Sequence, residues 1–551
     1  MGLTYSEAAE PVTEDTRNSP FSGGLISILL VFSLLAVIIF VFLIDLLPPT
    51  GRDALIHHLA IPKLWLKAGA LMEIPWSSFS YYPMNLELLY LIPLAMEADW
   101  AAKLIHHAFG LLSGWLIFQY VRTRLDTNWG LLASLMFLST PIIIRLSASA
   151  YVDLGLVFFI TASWMCLIHW AETRKIHFFI LSGISLGLGL GFKYNALIAP
   201  VLFVPAVMII RSRAGDRSGE CLIWGLLFTG LILLPFAPWL IKNYLWTGNP
   251  IYPLYNRMWG LDSLAPPGLE SVGLFNQRRY LYGESLIEII LVPLRIFFQG
   301  KDDSPQFFDG VLNPFFLFLP LIALIRPRTR ELRPLALMAL LWMLLVFFRT
   351  SYRTRYILPV LPVLTVLTVY GLHEFTVLLN RYLPRTWSHL FLAMLLAVFL
   401  SLNYSWAFHF WQKMDPVPFL TGKETRDEYL TRKLDHYEMM KYINNRLDPD
   451  AKILLLFVGN RGYFLDRDYY YHSYYSGESL RPALKKAGSA RELWQGLKDK
   501  GTTHVLTREA LLADYLKNNF DREGLRIWTD FDKEYRKPVH RAKGYTLYKL
   551  K

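Results

Sequence analysis

Five short stretches set ionisable side chains in apolar surroundings. Asp53 stands in TGRDALIHHLAIPKLWLKAG with His57 four residues on, Asp153 in SASAYVDLGLVFF, and Lys193 in LGLGLGFKYNALIAP. Arg349, Arg353 and Arg355 cluster in FFRTSYRTRYILPVLP, where Tyr356 follows the last arginine, and Lys242 lies in FAPWLIKNYLWTGNPIYP. Charges at membrane depth are costly unless paired or wetted, so each is a functional candidate. Asp53 and Asp153 supply carboxylates, and the five cations suit a phosphate, Arg through bidentate contact and Lys as a point charge. His57 shares the helical face of Asp53 and can orient or tune it. Helix capping would also explain either aspartate, and snorkelling to headgroups one or two of the cations, but snorkelling accounts poorly for all five. Together the residues suit transfer of a sugar from a lipid phosphate to an acceptor. The carboxylate takes the acceptor's proton, the cations stabilise the departing phosphate, and in-line attack inverts the anomeric centre.

These residues need a membrane-embedded frame, and the hydropathy supplies one. A spanning helix needs about 20 mostly apolar residues. Candidates cover 25–47, 100–121, 129–146, 154–170, 177–191, 195–211, 221–241, 312–325, 334–349, 356–378 and 388–408, which makes eleven. If the first span leaves the cytoplasm, the inner loops carry Arg122 and Arg124; Arg174 and Lys175; Arg211, Arg213 and Arg217; Arg326, Arg328, Arg330 and Arg333; Arg381 and Arg385. Every interior loop on that side is basic, as the positive-inside rule asks. Asp53, Asp153, Lys193 and the arginine cluster then share the outer face. Two long segments, 48–99 and 242–311, also fall outside; Leu86–Met96 is too short to span and is placed flat at the interface, and an amphipathic piece covers 285–299.

Composition agrees. The chain has 551 residues, 54% hydrophobic and 18% charged, with a net charge of +12. Residues 1–408 hold 29 Lys/Arg and 24 Asp/Glu, whereas the 143 residues 409–551 hold 27 and 20, so a membrane body carries a far more polar tail. Disorder and a disulfide scaffold are excluded by the apolar content and by only two cysteines. The expected fold class is therefore mainly α: a cytoplasmic leader over 1–24, a transmembrane domain over 25–408, and an external soluble α/β domain over 409–551. In the tail, 427–447 reads as an amphipathic helix, 452–458 as a buried strand, 490–500 as a helix, 503–507 as a strand and 545–550 as an edge strand. No phosphate loop or zinc spacing appears in it.

The layout resembles the polytopic GT-C glycosyltransferases, in particular the phospholipid-carrier-dependent family 39 that includes protein O-mannosyltransferases and lipid A aminoarabinose transferases. The resemblance rests on an acidic residue early in a large first external loop (Asp53), a second at the next external loop (Asp153), a Lys after a Gly-rich span end (Lys193), and an Arg-Tyr-x-x-Pro segment (Arg355, Tyr356, Pro359). It implies that Asp53 is the catalytic base, that Asp153 helps organise the site, and that the Lys and Arg residues contact the donor phosphate. It further implies a polyprenyl-phosphate-sugar donor, a glycan, lipid or protein acceptor, and a bacterial inner membrane with the C-terminal domain periplasmic. Arg52 and Ala54 flank Asp53 where the protein mannosyltransferases pair two acids, and Tyr81-Tyr82-Pro83-Met84-Asn85 stands where the aminoarabinose enzymes have Lys-Pro-Pro. The motifs therefore select no acceptor.

Two other classes fit some of these features: a transporter or flippase of lipid-linked saccharides, and a ligase or polymerase joining them. A transporter places its ionisable groups near the bilayer midplane, often in two related halves; here they gather at one edge and no inverted repeat is detected. A divalent metal ion could draw on His57, His58 and Glu73, although no recognised spacing links them. The positive excess is a topology signal and not a nucleic-acid patch.

Overall fold

The computed structural model describes residues 24–260, 274–325, 331–349, 352–471 and 480–551. The leader, apart from Gly24, and the inner-loop residues Arg326, Arg328 and Arg330 lie outside the described residues. The first half is built from α1 (Gly24–Asp45), α2 (Ala60–Ala68), α3 (Asn85–Ala95), α4 (Ala101–Arg124), α5 (Thr127–Leu138), α6 (Pro141–Ser147), α7 (Asp153–Thr173), α8 (Ile176–Leu190), α9 (Ile198–Arg213) and α10 (Ser218–Thr247). Short helices α11 (Leu274–Tyr282), α12 (Leu286–Ile290) and α13 (Val292–Arg295) follow. The bundle then closes with α14 (Phe315–Ile325), α15 (Leu332–Arg349), α16 (Thr354–Ile357), α17 (Leu361–Tyr382) and α18 (Arg385–Met414).

Each of the eleven apolar segments is helical, but they do not all pass as single spans. Among the described residues seven helices are long and apolar enough to cross a membrane by length and composition, or eight if α5 and α6, bent by 69° at Ser139–Thr140, form one span. The bend has a local cause, since Pro141 cannot continue the hydrogen-bond ladder of α5. Helices Ile176–Leu190, Phe315–Ile325 and Leu332–Phe347 are shorter. This is an integral membrane protein.

The bundle is packed through small residues and reciprocal hydroxyls, as membrane helices must be when lipid is as apolar as their own side chains. Ser163 on α7 and Ser182 on α8 each donate to the other's carbonyl at 2.9 Å. A Cβ at Gly187 would lie 2.2 Å from the Ile232 carbonyl oxygen, and one at Gly371 2.0 Å from that of Leu319, so only glycine lets α8 meet α10 and α17 meet α14 so closely. The α16–α17 stretch is the central element, buried continuously from Ile357 to Leu372, and its start carries the site residues Arg355 and Tyr356.

The polar tail is α/β. It comprises α19 (Val417–Leu420), α20 (Arg426–Lys433), α21 (Tyr437–Arg446), β1 (Lys452–Leu456), β2 (Asp468–Tyr471), α22 (Leu480–Lys486), α23 (Ala490–Lys498), β3 (His504–Arg508), α24 (Glu509–Asn519), α25 (Arg522–Tyr535), β4 (Arg536–Ala542) and β5 (Tyr545–Leu550). The expected helix over 427–447 is two, broken at Leu434–His436. The sheet order is β2-β1-β3-β5-β4, with β1 parallel to β2 and β3, and β5 antiparallel to β3 and β4. So β5 is not the edge strand expected from sequence. The edge on that side is β4, RKPVHRA, whose polar pattern hid it and whose Pro538 is tolerated because edge strands have spare donors.

Polar contacts clamp this domain to the segment following α1. Lys63 donates to the carbonyls of Tyr463 (2.9 Å) and Leu465 (3.1 Å) and pairs with Asp466 at 2.8 Å, while Lys67 reaches Asp468 at 2.6 Å. Tyr471 donates to Ser77 Oγ at 2.7 Å, and Asp99 accepts from both Tyr463 (3.0 Å) and Arg426 (2.6 Å). The Tyr463 N–H donates to the Leu55 carbonyl at 3.3 Å, two residues from Asp53.

Candidate active site

Asp53 stands just before a single π-helical turn, Ala54–His58, in the segment between α1 and α2. Such turns recur at functional sites because they re-aim side chains. Its carboxylate caps no backbone N–H of that turn. Instead it accepts from Arg355 Nη1 at 2.5 Å, across 302 positions of sequence. The Asp53 N–H donates to the Tyr151 hydroxyl at 3.2 Å, and Gly51 leaves room for that ring: a Cβ there would sit 3.2 Å from it.

A second carboxylate–cation pair lies beside the first. Asp153 is the first residue of α7, almost fully buried, and its Oδ1 accepts from Lys193 Nζ at 2.8 Å. Lys193 precedes a 3-10 turn, Tyr194–Leu197, that joins α8 to α9. His106 fixes the start of α7, accepting the Leu154 N–H at Nε2 (2.9 Å) while Nδ1 donates to the Leu146 and Ser149 carbonyls. The Tyr356 ring joins the two pairs: its centroid is 4.6 Å from Lys193 Nζ and 5.6 Å from Arg355 Cζ. Asp153 Oδ2, Arg355 Nε and His57 Nδ1 are buried and make no hydrogen bond within the protein. Buried polar atoms are normally satisfied, so these three are available to a polar ligand.

Electrostatics separate the groups into charged and neutral. Burial alone would raise the Asp53 carboxyl, but the Arg355 guanidinium overrides it and holds the group well below the usual carboxylate range. It stays ionised across the physiological range. Burial pushes the His57 imidazole down to about 4 despite the opposing field of Asp53, and it lies flat on Phe79 with centroids 4.1 Å apart. His57 is thus a neutral wall of the site at pH 7.

Sequence reasoning missed Glu87, on α3. It is buried, its Oε1 lies 2.7 Å from His58 Nδ1, and Oε2 has no partner within the protein. Burial, against the fields of Lys193 and Lys242, pushes its carboxyl up to about 8, and burial holds His58 well below the ordinary imidazole range. At pH 7 the pair is therefore a neutral carboxyl donating to a neutral imidazole. A lone acid in NLELLYLIPLA was the available signal.

A pH effect on stability follows. The folded chain keeps the Glu87 proton up to about pH 8 whereas the unfolded chain releases it near the ordinary glutamate value of 4.5. The stability this proton confers is complete below the unfolded value and is lost as pH rises toward 8. Glu87→Gln, which mimics the protonated acid, is expected to flatten this decline. Thermal unfolding of both proteins in detergent between pH 5 and 8 checks it; parallel curves would refute the assignment.

The remaining candidates are placed less centrally. Lys242 donates to the Ser80 (2.8 Å) and Tyr82 (3.4 Å) carbonyls and sits between the Trp239 and Trp246 rings. It ties down the loop before α3 and is not drawn into the two aspartate pairs. Arg353 lies 4.0 Å from Asp309 Oδ2, and the side chain of Arg349 lies outside the described residues. The three residues considered for a metal do not converge: Glu73 accepts from Tyr81 at 2.5 Å while His58 faces Glu87. Among the described residues no group of three His, Cys, Asp or Glu side chains could hold a metal ion.

Comparison with known proteins bears on this geometry. Residues 87–241 match the family model for dolichyl-phosphate-mannose-protein mannosyltransferase, a stretch that includes Glu87, Asp153 and Lys193. No curated protein sequence matches the chain. Among solved structures, ArnT from Cupriavidus metallidurans bound to undecaprenyl phosphate superposes with a TM-score of 0.56 at 12% identity, over 95% of this chain and 97% of that one. The apo state of the same protein gives 0.57 at 13% identity with the same coverage. The archaeal oligosaccharyltransferase AglB from Archaeoglobus fulgidus, in complex with an inhibitory peptide and a dolichol-phosphate, gives 0.51 at 12% identity, over 96% of this chain and 75% of that one. The chain has the GT-C fold of these membrane proteins, with the small C-terminal sheet included in the match to ArnT.

Proposed function

We propose that the chain is a glycosyltransferase that moves a sugar from a polyprenyl-phosphate carrier to an acceptor, with Asp53 as general base and inversion at the anomeric carbon. The observation that carries this reading is the pair of adjacent carboxylate–cation contacts, Asp53–Arg355 and Asp153–Lys193, bridged by Tyr356. The GT-C fold, and neighbours whose structures hold undecaprenyl phosphate or a dolichol-phosphate, support it.

The chemistry follows from charge balance. The donor is a phosphodiester with one negative charge, and its phosphate competes with Asp53 for the Arg355 guanidinium. As the acceptor oxygen bonds to the sugar C1, the bond from C1 to the phosphate oxygen breaks and the electron pair leaves with the phosphate. The acceptor proton passes to Asp53. The carboxylate loses its charge as the phosphate gains one, so Arg355 changes partner without the site changing net charge. Lys193 supplies a second cation for the leaving phosphate while Asp153 fixes its position. Freed of Arg355, Asp53 becomes a better base at the moment it is needed.

On this reading the site faces the periplasm and the body lies in the bacterial inner membrane, in accord with the basic loops at the opposite end of the bundle. The purified chain, incubated with a panel of polyprenyl-phosphate sugars, is expected to release polyprenyl phosphate from one of them, read by mass spectrometry. Saturable binding of a lipid-linked saccharide with no release from any donor would favour a transporter instead.

A further inference from the structure

The turn after β1 brings an unpaired arginine to the rim of the site. Three residues of this turn, Phe457, Gly459 and Asn460, have φ of 59°, 71° and 60°. Two of them are not glycine, and a left-handed backbone at such residues is kept where the surrounding structure imposes it, often for function. The turn also sits at a switch point of the sheet. The chain leaves β1 for β2 on one side and later returns to β3 on the other, both parallel to it. The carboxyl end of the strand at such a point is where open α/β sheets bind ligands.

The turn delivers Arg461. Two residues on, the Tyr463 N–H is bonded to the Leu55 carbonyl, which pins the turn against the Gly51–Leu55 segment. Arg461 Nε is buried without a hydrogen-bond partner, and neither Arg461 nor Arg52 makes an ion pair among the described residues. The acids whose fields involve Arg461 do not neutralise it at contact distance: Asp303 is occupied by Arg145 at 3.0 Å and Lys413 at 2.5 Å, and Asp435 makes no ion pair with it. Arg52, an exposed side chain on the pinned Gly51–Leu55 segment, opposes it as a like charge. His436, 1% exposed, contributes a second buried and unpartnered atom, Nε2, within the field of Arg461. Tyr151, whose hydroxyl accepts the Asp53 N–H, is a further neighbour of Arg461.

A guanidinium with a buried, unsatisfied N–H and a like charge in its field is relieved by an anion, and Arg is suited to phosphate oxygens. We infer that Arg461 of the C-terminal domain and Arg52 form a second anion subsite, distinct from the donor-phosphate cradle, that takes a phosphate monoester carried by the acceptor. Its designation as an acceptor subsite rests on the transferase reading above. The C-terminal domain then selects acidic acceptors and presents them beside Asp53.

The test uses the full-length purified chain saturated with undecaprenyl phosphate, titrated by calorimetry with phenyl phosphate and separately with dihexanoyl phosphatidic acid. At least one is expected to bind, and which one binds identifies a soluble or a lipid-borne phosphate. Arg461→Met and Arg52→Met are each expected to weaken that binding about ten- to a hundred-fold, the effect of losing a charge-assisted hydrogen bond. Their affinity for undecaprenyl phosphate is expected to remain unchanged, which also reports that they are folded, and Arg461→Lys is expected to restore part of the loss. Displacement of either probe by undecaprenyl phosphate, equal binding to wild type and both methionine variants, or no binding of either probe would overturn the inference. Failure of undecaprenyl phosphate itself to bind would count against the donor reading alone, and the two titrations then run on the unloaded chain with the same criteria.

Discussion

Asp53→Asn is expected to lower glycosyl transfer by about 10²- to 10⁴-fold, the contribution of a positioned general base, while the variant still binds undecaprenyl phosphate. Asparagine preserves shape but cannot take the acceptor's proton. It also removes the charge that Arg355 now contacts, which leaves the guanidinium free for the phosphate. Carrier binding is therefore expected to be as tight as in wild type or tighter, although turnover is lost. A purely structural role for Asp53 would produce the opposite pattern, with carrier affinity and folding falling together. Turnover and undecaprenyl phosphate affinity, measured on the same preparation, separate the two.

The second large effect concerns Asp153 and Lys193. Both are substantially buried and contact each other at 2.8 Å. Removing one partner leaves an uncompensated buried charge, which costs roughly 3–5 kcal/mol. Lys193→Met is thus expected to be strongly destabilised, with Asp153 left in a site that disfavours its charge. The double variant Asp153→Asn/Lys193→Met removes both charges and is expected to regain much of that stability, because the cost lies in the unpaired ion and not in the loss of the pair. Activity is not expected to return, since the phosphate has lost one of its two central cations. Thermal melts of the two single variants and the double variant, run beside a transfer assay, give the coupling. A double variant no more stable than the worse single one would refute the pairing, and one with restored activity would remove Lys193 from the phosphate cradle.

The parts of the site legible in sequence are those whose chemistry conflicts with their surroundings. Asp53, Asp153, Lys193 and Arg355 stand out because apolar neighbours make an ionisable group expensive, and the structure brings these four together. Their pairing was not legible: nothing local shows that Arg355 meets Asp53 across 302 positions or that Lys193 belongs to Asp153. Lys242 shows the converse. Its partners are the backbone carbonyls of Ser80 and Tyr82, which carry no sequence signal, so a phosphate ligand and a loop anchor look alike from residue type alone. Glu87 was hidden by an apolar run that reads as an interfacial helix, although its neutral state depends on that same burial.

The fold shows a similar division. Hydropathy located eleven apolar segments that are all helical, but it read α5 and α6 as one; length decides which can cross a bilayer, and the α5–α6 bend depends on Pro141. In the tail, the apolar β1 was readable, whereas the polar edge strand β4 was not, and β5 was consequently taken for the edge. The clamp between the tail and the α2 segment, through Lys63, Lys67 and Tyr463, joins residues about 400 positions apart and leaves no local trace.

The most direct test of the central claim is a single-turnover reaction of the purified chain with a polyprenyl-phosphate sugar of defined anomeric configuration. Polyprenyl phosphate is counted by mass spectrometry and the product anomer is read by NMR. One polyprenyl phosphate released per sugar transferred, with the anomeric centre inverted and both signals lost in Asp53→Asn, is the predicted result. Retention of configuration, or full transfer by Asp53→Asn, would contradict it.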